Sequence, residues 1–200
     1  VSDFDLRLRL KGQAEEDIYF ARCERELAEA RRRQGLAPGP LRLMSGGETG
    51  VDRAALDAAL GLGLPVVGWC PAGRRAEDGP IPDRYPLAET PSPDDGERAD
   101  WNARDSDATL ILYRERLAGG SAHAAERARA HGRPLLIRDL RAPIDPAEIA
   151  RWLHANRVHA LHCAGPRESE APGIYAQAKV LLGQALAAWI SAETGGQGSA

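Results

Sequence analysis

Two glycine-rich turns in the 200-residue sequence have the composition of anion cradles. The first, Ser45-Gly46-Gly47-Glu48-Thr49-Gly50-Val51-Asp52, follows a short apolar run and leads straight into a helical pattern. Gly46, Gly47 and Gly50 allow the main chain to approach an anion closely, and the free N–H groups of a helix start supply donors and partial positive charge. Ser45 and Thr49 add hydroxyl donors, and Asp52, in the first helical turn, can orient a hydroxyl or an amine of the same ligand. The second turn, Leu117-Ala118-Gly119-Gly120-Ser121-Ala122-His123, precedes a helical stretch that carries Glu126. A single such turn reads equally well as a tight strand-to-helix connection, with Thr49 and Asp52 as caps. Two on one edge of a sheet line a common crevice, and a phosphate group is the ligand that such a crevice suits.

Arginine supplies nearly all the positive charge. Only Lys11 and Lys179 among the 26 basic residues are lysines. Arg114 and Arg116 lie just before the second glycine pair, where a guanidinium can hold a phosphate through paired hydrogen bonds. Arg74 and Arg75 lie on a long loop at the same edge, positioned to close over an anionic group, or to form salt pairs with Glu77 and Asp78. Ala164-Gly165-Pro166-Arg167-Glu168-Ser169 adds a third candidate wall. Cys70 follows a strand at the ligand edge, though a buried free thiol is the commoner case. No metal site is expected: His159 and His162 are three apart on a predicted strand and so face opposite ways. The P-loop lysine, zinc spacing and Ser-His-Asp arrangement are all missing from the sequence.

These residues need a scaffold that brings strand ends together. From residue 41 onward, short apolar runs alternate with alanine-rich helical stretches, the pattern of a parallel sheet with helices on both faces. Five strands are predicted: 41–44, 65–69, 108–113, 134–139 and 158–163. Helices fill the intervals, and a last one closes the chain over 174–190. The fold class is therefore Rossmann-like α/β, three-layered, in which ligands bind beyond the carboxyl ends of the strands. Residues 71–96 hold six of the 14 prolines and no periodicity. They predict an ordered lid with neither helix nor strand. Upstream, residues 14–34 place Phe20, Cys23, Leu27 and Ala30 at helical spacing, and glycine and proline at 35–40 form a linker. Three segments result: an N-terminal helical extension and linker (1–40), a ligand-binding domain (41–190) and a disordered tail (191–200).

Composition restricts the class of partner. The chain is 43% hydrophobic and 28% charged, with a formal net charge of −3. That balance argues against a broad nucleic-acid surface, and no apolar run reaches the ~18 residues of a membrane-spanning helix. Three widely spaced cysteines, 23, 70 and 163, fit a reduced, cytoplasmic protein.

The motifs SGGETGVDRAALDAAL, GWCPAGRRAEDGPIPDRYPLAETPS, WNARDSDATLIL, LAGGSA and AGPRESEAPGIYAQA occur in order, and together they resemble the molybdenum carrier family, also called molybdenum-cofactor carrier proteins. The resemblance spans about residues 41–190. It implies a Rossmann-like fold within the LOG and lysine-decarboxylase-like group. The implied role is binding molybdenum cofactor, a pterin dithiolene with a terminal phosphate, or molybdate, and holding it or handing it to molybdoenzymes. The resemblance makes Ser45 to Asp52 and Gly119 to Ser121 the phosphate and oxoanion cradle, Arg74 and Arg75 a basic loop, and a homo-oligomer the expected assembly. Glu48 stands where family members usually have glutamine. The related LOG enzymes carry a Pro-Gly-Gly-x-Gly-Thr-x-x-Glu motif that helps cleave the N-glycosidic bond of nucleoside monophosphates. Here that register reads Ala118 to Glu126, keeping the two glycines and the glutamate. The alternatives are thus a nucleotide-processing enzyme, with Glu126 as its catalytic carboxylate, and a nucleotide sensor acting through partners.

Overall fold

The computed structural model describes residues 11–13, 15–23, 25–26 and 39–195. Helix α1 takes in the described residues between 11 and 26, beginning before the expected residue 14; residues 27–38 and 196–200 lie outside the described set. Five strands form the main sheet: β1 (Arg42–Met44), β2 (Val66–Val67), β7 (Ala108–Tyr113), β8 (Leu135–Asp139) and β9 (Ala160–Ala164). All their pairings are parallel, in the order β2-β1-β9-β7-β8. The strand latest in the chain thus lies in the middle. Counted from β9 as first, with β1, β2, β7 and β8 following, the order becomes 3-2-1-4-5, that of the doubly wound dinucleotide-binding fold. The chain is a circular permutation of that topology.

Helices α2 (Val51–Gly61), α5 (Pro146–Ala155) and α6 (Ile174–Gly195) pack together, as do α3 (Asp95–Asp105) and α4 (Gly119–Ala130). Side-chain alternation along β7 separates the two faces. Ala108, Leu110 and Leu112 join the large core with Leu56, Leu153 and Leu182, whereas Ile111 packs with Ala124 and Ala125 of α4. Helix α6 runs through Gly195, so residues 191–195, expected in the tail, are helical.

The second predicted strand, 65–69, divides in two. Gly68 has φ +140°, and a Cβ there would lie 2.3 Å from the Ser45 carbonyl oxygen. The chain therefore leaves the main sheet, and β3 (Trp69–Cys70) pairs instead with β6 (Ala88–Glu89). Between them, β4 (Arg75–Ala76) and β5 (Gly79–Pro80) form a small antiparallel hairpin. The lid expected to lack strands thus contains three short ones. Their main-chain bonds bridge distant parts of the loop, which local periodicity does not report.

Two close approaches fix the carboxyl edge of the sheet. A Cβ on Gly50, whose φ is +73°, would lie 2.3 Å from the Pro166 carbonyl, and one on Gly165 would lie 2.3 Å from that of Leu112. Gly183, within α6, has open space instead. In chemical denaturation, Gly50→Ala is expected to destabilise the protein by more than ~3 kcal/mol, because both conformation and space forbid the methyl. Gly183→Ala should stabilise it by about 0.5–1 kcal/mol through helix propensity.

Candidate functional site

A cavity of about 340 Å³ opens beyond the carboxyl ends of β9 and β7. In the permuted count these are strands 1 and 4, between which the winding reverses, so the cavity occupies the topological switch point. The loops after β1, β7 and β9 and the exposed end of α3 contribute its walls.

One wall is the start of α4. Gly119, with φ +53°, and Gly120 are the first residues of the helix itself, not of a turn before it. Ala118 at the N-cap makes no side-chain cap, so the first N–H groups are left without a capping oxygen. A Cβ on either glycine would meet nothing within 4 Å. Ser121 is 3% exposed and lines the cavity, and its hydroxyl has no partner among the described residues. Unpaired donors on a helix N-terminus, facing a cavity, have the chemistry to hold an anion.

Opposite residues carry a network of ion pairs. Arg98 on α3 pairs with Asp52 at 2.8 Å and approaches Asp95 at 3.7 Å. Gly46 makes room for it: a Cβ there would lie 1.7 Å from Arg98 Nη1. Burial pushes the Asp52 carboxyl up against the opposing pull of Arg98. Arg167 pairs with Glu48 through Nε at 3.3 Å and with Asp95 through Nη2 at 2.8 Å. Glu48 Oε1 meanwhile accepts hydrogen bonds from the N–H groups of Thr49, at 2.9 Å, and Glu77, at 3.0 Å. Its charge is thus spent on the protein, which accommodates a carboxylate at the cavity wall.

Not every expected residue reaches the cavity. Gly119, Gly120, Ser121 and Asp52 line it, with Arg167 of the third wall. Ser45 is fully buried, and its hydroxyl donates to the Cys163 carbonyl at 2.8 Å, joining β1 to β9. The Thr49 hydroxyl donates to Glu77 and accepts from the Glu168 N–H. Gly47 packs under Ile81 and Leu87 of the lid, and Gly50 against the loop after β9. Arg74 spends its guanidinium on lid carbonyls: Leu87 at 2.8 Å, Tyr85 at 2.9 Å and Pro82 at 3.3 Å. It borders a separate hollow of about 610 Å³ between α1 and the lid. Arg75 is exposed on β4, and Arg114 donates to the Pro172 carbonyl. Glu126 projects outside the cavity, its side chain 67% exposed beside Arg127. Cys70 is buried, its thiol pushed up to about 11 by desolvation. Asp78 pairs with Arg53, not with the lid's own arginines.

Arg98 was not singled out by sequence reasoning, and His162 was weighed there only as a metal ligand. Arg98 and Asn102 are four apart on α3, on the side that carries Ala99 and Ala103. Polar residues among alanines on the buried face of a helix were the available signal. Asn102 bonds both the N–H and the carbonyl of Trp69, holding α3 to β3. His162 is 2% exposed on β9, with Nδ1 3.4 Å from the Thr109 hydroxyl.

Fold and cavity together define a Rossmann-type domain with a cavity at the switch point, where such folds bind ligands. Residues 43–186 match the model of the family described as "Circularly permutated YpsA SLOG family". The chain belongs to that family, whose name states the permutation seen in the sheet. A solved structure called "Putative molybdenum carrier protein", from Syntrophus aciditrophicus SB, is 39% identical, with a TM-score of 0.70 over 74% of this chain and 96% of that one. It supports the resemblance carried by the sequence motifs. No curated protein matches the chain. No helix among the described residues is long and apolar enough to cross a membrane.

Two outcomes are expected. Arg74→Ala should destabilise the fold by about 2 kcal/mol, since three lid carbonyls lose a charged donor, while ligand affinity stays unchanged in titration calorimetry. Burial also lowers the His162 pKa from 6.5 to about 3. The unfolded chain therefore binds the extra proton first as pH falls, and this contribution to stability is complete above pH 6.5 and is lost progressively toward pH 3. The loss should reach about 2 kcal/mol near pH 5. Denaturation at pH 7 and 5 should show this slope, and His162→Phe should lack it.

Proposed function

We propose that the protein binds a small phosphorylated ligand in the switch-point cavity, as a carrier or storage protein for molybdenum cofactor or molybdate, without chemical turnover. The observation that carries this reading is the uncapped start of α4, with Ser121, whose hydroxyl has no partner among the described residues, lining the cavity. The terminal phosphate, or the oxoanion, lies against Gly119, Gly120 and Ser121. Arg98 and Arg167 neutralise the opposite wall, held in place by Asp52, Asp95 and Glu48. The likeness to a structure named for molybdenum carriage supports the choice of cargo. The binding unit is residues 41–190. In the cell it is a cytoplasmic homo-oligomer that passes its cargo to molybdoenzymes.

Mass spectrometry and metal analysis of the protein as purified test the cargo directly: a pterin or molybdenum is the expected finding. Melting curves with molybdate, a pterin phosphate and nucleoside monophosphates test the site. At a hundredfold excess over Kd, a ligand adds about 2.7 kcal/mol of stability. Gly120→Asp should act in opposite directions on fold and function. Its carboxylate suits the helix dipole and adds about 0.3–1 kcal/mol of stability, yet it occupies the anion position and should abolish the ligand-induced shift. No shift with any of these compounds, or a shift that survives Gly120→Asp, contradicts the proposal.

A further inference from the structure

One polar side chain of the cavity, outside the ion-pair network, is set into the sheet itself. His162 lies at the centre of the sheet, on β9, in register with Met44 of β1 and Thr109 of β7. It is almost wholly enclosed, yet it lines the cavity. Nδ1 faces the Thr109 hydroxyl; Nε2 has no hydrogen-bond partner among the described residues and is open to the cavity, not sealed within the core. A ring nitrogen that opens on the cavity and bonds nothing in the protein is available to pair with a group that enters it.

We propose that His162 is a specificity-determining residue of the cavity, whose Nε2 hydrogen-bonds a neutral heteroatom of the ligand, a ring nitrogen, carbonyl or hydroxyl, beyond its anionic group. This rests on the reading of the cavity as a phosphorylated-ligand site and adds what the rest of the ligand must offer. The anion is held at the α4 end by main-chain donors and Ser121, none of which distinguishes one phosphate ester from another. His162 supplies that distinction. Arg98 is the charged neighbour that acts on the ring, and it and burial both oppose protonation. The imidazole therefore engages the ligand as a neutral hydrogen-bonding group. Thr109 is a positioning residue: its hydroxyl occupies Nδ1 and thereby sets whether Nε2 donates or accepts.

The test compares an anion alone with an anion on an organic scaffold. Inorganic phosphate, AMP, GMP and a pterin phosphate are titrated calorimetrically into the wild type, His162→Phe, His162→Asn and Thr109→Val. For the tightest organic phosphate, His162→Phe should weaken binding about three- to tenfold, with inorganic phosphate within about twofold of wild type. His162→Asn, which keeps a polar edge, should restore part of the loss. Thr109→Val, which leaves the ring in place, should weaken the organic phosphate alone. The Nε2 resonance of 15N-labelled His162 should move on adding the organic phosphate and stay fixed on adding inorganic phosphate. Equal affinity of wild type and His162→Phe for every organic phosphate, with phosphate binding intact and Nε2 unmoved, overturns this inference and leaves the anion site standing. Failure of every compound to bind the wild type instead removes the underlying reading, and the inference with it. If His162→Phe does not fold, the Thr109→Val titration and the Nε2 resonance in the wild type decide the matter.

Discussion

Strand β9 joins two otherwise separate halves of the sheet. Arg42 to Met44 of β1 are in register with Ala160 to His162 on one side, and Ala108 to Ile111 of β7 with Leu161 to Ala164 on the other. Remove β9, and β1–β2 and β7–β8 remain as two-strand pairs with no ladder between them. The same strand delivers Ala164, Gly165 and Arg167 to the cavity, and its Cys163 carbonyl receives the Ser45 hydroxyl. Cohesion of the core and placement of the site therefore depend on one set of main-chain hydrogen bonds. The tolerances are small, as the approaches at Gly50 and Gly165 require bare glycine.

The electrostatics of the cavity follow from how its charges are spent. Each arginine that lines it is committed to carboxylates: Arg98 to Asp52 and Asp95, Arg167 to Glu48 and Asp95. Such pairs fix positions more than they attract an incoming anion, because most of their field is cancelled locally. What remains available are dipoles, the α4 N–H groups and the Ser121 hydroxyl. They are already oriented and need little rearrangement when a ligand arrives. The lid is tied down by Arg74 and by the Arg53–Asp78 pair, and adds its bonds around the edge of the site.

What the sequence disclosed and what it withheld divide along the range of the interactions. ATLILY declares itself a strand because burial on both faces demands an unbroken apolar run, and the first glycine turn is visible because it sits at a strand end. Strand order is invisible locally, since nothing within residues 158–163 says that they insert between residues 42 and 108. The β2–β3 break turns on Gly68 meeting Ser45, a contact across more than twenty residues. Arg74, Arg75 and Arg114 illustrate the same limit at the site. Their chemistry suited a phosphate, but the folding-back of their loops directed them to carbonyls or solvent. Arg98 was overlooked because α3 reads as a solvated helix until Gly46 is known to lie beneath its guanidinium.

The late position of β9 also sets an order of events in time. A ribosome delivers the chain from the amino end at ~5–20 residues per second. Residues 42–155, carrying β1, β2, β7, β8 and four of the helices, must therefore wait through the synthesis of residues 160–167 before the sheet can close. Until then the glycine loop after β1 and the start of α4 have no shared wall between them. The cavity thus forms abruptly, once β9 and the loop after it have been made. A nascent chain cut short between α4 and β9 would have both glycine loops and no cavity for them to line.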